Sequence, residues 1–82
     1  SSLNFVIKNS LGKSTNFEIS FYKLDNRSLT HKTIRRDVVY IQSNAVYDLP
    51  VLSFPEEGEY RLVIKTQDNI KRREQVWKVK EF

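Results

Sequence analysis

Apolar and polar residues alternate with a period of two along most of this chain, and no window carries the spacing of a helical stripe. Leu3, Phe5 and Ile7 share one face of a first run, which stops at the polar turn Asn9-Ser10-Leu11-Gly12-Lys13-Ser14. The clearest strand follows, where Phe17, Ile19 and Phe21 alternate with Glu18, Ser20 and Tyr22. Asp25-Asn26-Arg27-Ser28 then reads as a turn, because Asp and Asn bond their own backbone and tolerate left-handed geometry. Between Leu29 and Gln42 the pattern predicts one strand reaching Arg35 and another through Val38-Val39-Tyr40-Ile41. Arg36-Asp37 forms a bulge or a crossing between them. Ala45, Tyr47 and Leu49 resume the alternation until Pro50, which has no N–H and confines the end of that strand to an edge or a kink. Past the loop Phe54-Pro55-Glu56-Glu57-Gly58, Tyr60, Leu62 and Ile64 alternate with Arg61, Val63 and Lys65. A turn at Gln67-Asp68-Asn69 leads to a last strand with Trp77 and Val79 inward and Lys78 and Lys80 outward.

Turn signals at this spacing predict an all-β domain, an antiparallel β-sandwich of about seven strands. Its expected core is Phe5, Ile7, Phe17, Ile19, Phe21, Ile41, Tyr60, Leu62, Ile64, Trp77 and Val79. The chain has 82 residues, which is room for one modest core, so residues 1–82 are expected to form a single domain. A hydrophobic share of 39% supports a core, and charges of both signs separate the chain from a disordered tail. There is no internal repeat and no low-complexity tract. The sequence holds no methionine and reads as a domain excised from a longer chain.

The segment from Leu52 to Ile64, with Phe54-Pro55-Glu56-Glu57-Gly58 leading into Tyr60, resembles the passage into strand F of immunoglobulin-like and fibronectin type III-like modules. In that pattern a tyrosine packs its ring in the core and bonds its hydroxyl to backbone across the turn, and Tyr60 occupies the matching position. Trp77-Lys78-Val79-Lys80-Glu81-Phe82 is similar to the closing strand of macroglobulin-like domains, and Thr66-Gln67-Asp68-Asn69 to the last turn of bacterial modules of this kind. The resemblance implies an immunoglobulin-like sandwich and the general role of such modules. It implies no binding residue, and the chain lacks the cysteine pair of antibody domains.

Composition narrows the chemistry. Without cysteine there is no disulfide, thiolate metal site or cysteine nucleophile. The one histidine, His31, has Lys32 beside it and no Gly-x-Ser-x-Gly elbow in the chain, so it reads as a solvent-facing strand residue. Glu56, Glu57 and Glu59 surround Gly58 but lack the alternating Asp/Asn spacing of a calcium loop. Asn26-Arg27-Ser28 is a sequon. A Lys–Asn cross-link from Lys8 to the last strand is not expected, because Lys71 to Phe82 contains no Asn or Asp to receive it. No apolar run reaches the roughly 20 residues of a membrane helix, and no membrane insertion is expected. No catalytic residue, metal or cofactor is expected.

Charge supplies the remaining candidate. The net charge is +4, and Lys71-Arg72-Arg73 is a basic run at the last turn. If the last two strands pair, Arg61 and Lys65 share an outward face with Arg72, Lys78 and Lys80, and Arg73 adds to the stripe. Such a stripe binds an anionic glycan or nucleic acid, or else protects an edge from aggregation. Tyr60 and Trp77, the aromatics available for stacking on bases, fall on the inward parity, so nucleic acid is not the expected partner. The expectation is a non-catalytic accessory module of a larger bacterial protein outside the cytoplasm. It acts as spacer or protein-interaction domain, with neighbouring domains or another protein as partner. The alternative is binding of an anionic polymer through the basic hairpin.

Overall fold

Phe17, Ile19 and Phe21 lie on one of the two interior strands of the larger of two sheets, and their side chains are buried in the core. The computed structural model describes residues 2–25, 30–68 and 72–79. Through them run β1 (Ser2–Lys8), β2 (Thr15–Asp25), β3 (Thr30–Ile41), β4 (Val46–Ser53), β5 (Gly58–Thr66) and β6 (Arg72–Val79). A four-stranded sheet has the order β3-β2-β5-β6, a two-stranded sheet pairs β1 with β4, and every pairing is antiparallel. The chain is therefore all-β, as its alternation requires.

Among the described residues six strands take the place of the seven expected. The stretch read as two strands is a single one: Arg36 and Asp37 stay in register opposite Ser20 and Ile19. The irregularity sits earlier, where Phe21 faces Arg35 and Tyr22 faces Thr33, so that Ile34 is the extra residue of a bulge and is exposed. The charges that suggested a break are accommodated because Arg35 and Asp37, on the core-side parity, pair with each other at 2.7 Å.

Ile7, Phe17, Ile19, Phe21, Ile41, Tyr60 and Leu62 are buried, and Phe5, Ile64, Trp77 and Val79 pack half-buried against them. Leu49, Leu52 and Phe54 complete the core from β4 and the segment after it. Leu49 and Leu52 can both point inward because the register shifts between them: Phe5 faces Leu49 while Leu3 faces Leu52. Pro50, which cannot donate to a ladder, lies within this shift. Edge-to-face ring contacts join Phe54 to Phe21, Tyr60 and Trp77 at centroid distances of 5.6, 5.0 and 5.5 Å. Phe5 meets Trp77 in the same way at 5.5 Å.

The chain passes between the sheets at three places, and polar side chains tie each one down. Asn9, fully buried, donates through Nδ2 to the carbonyls of Lys13 and Ile41 at 2.8 and 2.9 Å, and its Oδ1 accepts from the Leu11 amide. Its backbone also bonds Ala45 and Asn44, so one residue joins the β1–β2 and β3–β4 connections. Between β4 and β5, the Tyr60 hydroxyl donates to the Glu56 carbonyl at 2.8 Å and accepts from the Glu56 amide at 3.2 Å. The ring is buried, as the sequence predicts for this tyrosine. Gly58 enters β5 at φ 151°, and a Cβ there would lie 2.6 Å from Cε of Lys23, so the glycine serves both backbone geometry and the passage of that side chain.

Candidate binding site

Adjacent strand axes are about 4.8 Å apart, so a pair spans about 5 Å and a set of four about 14 Å. The two-stranded sheet therefore cannot cover the larger one, and a groove opens along each of its flanks. On one flank β4 residues face β3 across a cavity of about 770 Å³. Two carboxylates border it and each holds a cation: Lys23 pairs with Glu56 and Arg35 with Asp37, each at 2.7 Å, while Lys32 and Arg36 add further positive charge. The Lys23 ammonium lowers the pKa of Glu56 by hydrogen bond and by charge, against a smaller desolvation effect and with help from Lys32.

The other flank differs. Here β1 runs beside β5 and β6 across a groove of about 800 Å³. Phe5, Ile7, Leu11, Phe17, Leu62 and Ile64 give it an apolar floor. Lys8, Lys65, Arg72 and Arg73 border it, and among the described residues no carboxylate does.

The predicted cations divide between this groove and the outer face of the larger sheet. Pairing of β5 with β6 sets Lys65 opposite Arg72, Arg61 opposite Val76, and Glu59 opposite Lys78, so Arg61, Lys65, Arg72 and Lys78 share the outward parity as expected. Lys80 lies outside the described residues, as do Lys71 and the sequon residues Asn26, Arg27 and Ser28. Arg73 sits opposite Ile64 on the core-side parity, on the face away from the stripe. The stripe itself is interleaved with acids. Arg61 reaches Glu59 at 3.3 Å and Glu74 at 3.4 Å, Arg72 reaches Glu74 at 3.3 Å, and Glu18 pairs with Arg36 and, at 3.8 Å, with Lys65. Desolvation opposes the charge on Arg61. The Tyr22 hydrogen bond and the Glu59 and Glu74 carboxylates outweigh it and raise the pKa above the ordinary arginine value. Val63 lies on this outer face between Arg61 and Lys65 yet is only 8% exposed.

The other sequence candidates take ordinary positions. His31 is exposed on the outer face beside the Tyr22 ring, at a centroid distance of 4.8 Å. Among the described residues no three His, Asp or Glu side chains converge as metal ligands would. Tyr60 and Trp77 both belong to the inner aromatic cluster. Sequence reading missed Lys8 as a partner of the basic hairpin, since only the stacking of the sheets brings β1 to β6. It also missed Asn9, whose Ile41 partner is 32 positions away. A polar residue at the end of an apolar run was the one available signal. Comparison with protein-family models, with curated proteins and with solved structures finds no match to this chain.

Proposed function

We propose that this chain is a non-catalytic accessory module of a larger bacterial protein, an immunoglobulin-like or fibronectin type III-like sandwich acting outside the cytoplasm. Its role is protein interaction or spacing, with neighbouring domains or another protein as partner. The family reading is supported by the order β3-β2-β5-β6 facing the β1-β4 pair, and by Tyr60 bonding backbone at the crossing into β5. The functional reading is carried by one contrast: carboxylates engage the outer cations Arg61, Lys65 and Arg72, while the β1 flank is open and apolar-floored. Proteins dock on apolar ground with a polar rim, whereas a polyanion needs uncompensated cations in a row.

The second reading, an anionic glycan or nucleic acid as ligand, is favoured by Lys8, Arg72 and Arg73 meeting at one groove. Titration with heparin and with single-stranded DNA at physiological salt separates the two. The protein-interaction reading expects weak binding with no sequence preference. Micromolar or tighter binding that falls steeply with salt, and that charge reversal at Arg72, Arg73 and Lys78 abolishes in a folded protein, reverses the ranking.

A further inference from the structure

β1 bonds β4 along one side, and among the described residues no strand pairs with its other side. Phe5, Val6, Ile7 and Lys8 all border the groove. Successive strand side chains point to opposite faces, so four in a row can border one groove only if the backbone edge of the strand looks into it. The groove thus combines an open hydrogen-bonding edge, an apolar floor and a cationic border. An exposed edge of this kind is a template for another strand, with the backbone ladder giving affinity and alternate side chains giving specificity.

We propose that the β1 edge accepts an extended segment of a partner protein in which apolar and acidic residues alternate. The segment adds a strand beside β1, its apolar side chains resting on the half-buried Phe5 and Ile64 and its carboxylates meeting Lys8 and Arg73. This rests on the protein-interaction reading above and specifies its partner. Charge selects among occupants. A second copy of the chain would bring two cationic groove borders together edge to edge, which like-charge repulsion opposes. A polyanion would leave the apolar floor and the backbone edge unused.

The test uses the isotope-labelled chain and two synthetic peptides with blocked ends, Val-Glu-Val-Glu-Val-Glu-Val and its counterpart with lysine in place of glutamate. The acidic peptide is expected to move the amide signals of Phe5 to Lys8. The lysine peptide is expected to bind about tenfold more weakly, and the R73E variant, changed only at an exposed position, to weaken the acidic peptide by about tenfold. The proposal is overturned if the β1 amides stay unmoved, if both peptides bind alike, or if the shifts map to β3 or β4. It is also overturned if β1 signals move with protein concentration alone, which means self-pairing. A heparin arm separates the levels: tight heparin binding at Arg72 and Arg73 removes this proposal and the protein-interaction reading together. Silence toward both heparin and peptide removes the edge proposal alone.

Discussion

The two sheets of this domain solve the same burial problem with unequal resources. In the four-stranded sheet, β2 and β5 have ladder partners on both sides and most inward residues buried, and the outer face is laced by Glu18, Glu59 and Glu74 with their cations. The two-stranded sheet has two edges and no interior strand, and Val6, Val46 and Val51 are exposed on β1 and β4. The larger sheet holds the interior strands and most of the core, although its edge strands expose Ile34, Val38, Tyr40 and Val76, whereas both strands of the smaller sheet are edges.

That division can be broken most forcefully at Phe21, which is 1% exposed in the larger sheet. Phe21→Ala is expected to cost about 3–5 kcal/mol, comparable to the whole stability of a domain this small, so a denaturant melt should show little folded protein. By contrast, Val6→Ser on the thinner layer, at a position 61% exposed, is expected to stay within about 0.5 kcal/mol of the parent. Equal losses at the two positions would dissolve the distinction. Between these extremes lie the ties that hold the layers together. Asn9→Ala strands the buried Ile41 carbonyl and the Leu11 amide, and should lower stability by about 1–3 kcal/mol in a urea melt. Tyr60→Phe keeps the ring and removes the bonds to Glu56, for an expected loss of about 0.5–1.5 kcal/mol. An unchanged midpoint in that variant would show that the crossing holds without its hydroxyl.

The smallest expected effect is the pH response of Glu56. Its folded-state pKa is lowered, first by the Lys23 hydrogen bond, so its contribution is complete above the ordinary carboxylate pKa. The contribution is lost as pH falls through the lowered value. Glu56→Gln should therefore flatten the acid limb of the stability curve and leave the neutral region nearly unchanged. Matching curves from parent and variant across the acid range would mean that the pair contributes nothing.

Strands β2 and β5 of the larger sheet were legible in the sequence because their parity is uninterrupted: Phe17, Ile19 and Phe21 alternate with Glu18 and Ser20, and Tyr60, Leu62 and Ile64 keep one parity around Arg61 and Val63. The smaller sheet and its neighbours were less so, for identifiable reasons. The register shift around Pro50 resets the period, which hid Leu52 and Phe54 as core residues. The bulge at Ile34 interrupts one long strand in the same manner and made β3 look like two. Outward placement of Arg61, Lys65, Arg72 and Lys78 followed from parity alone, whereas adding Arg73 to the stripe went against that parity, which turns it to the core side. The carboxylates that engage three of these cations come partly from β2, so Glu18 could enter the picture only with the sheet order. The groove was illegible altogether, because it exists only as the difference in width between two stacked sheets.

Amide hydrogen exchange tests the open β1 edge directly, since exchange protection reports which backbone groups are paired and how much must open to free them. Along β1, amides directed to β4 should be protected and those directed to the groove should exchange with little protection, giving an alternating pattern. The amides of β2 and β5, paired on both sides, should exchange only through global unfolding. Uniform protection along β1, equal to that of β2, would mean that its outer edge is already occupied and would contradict the account.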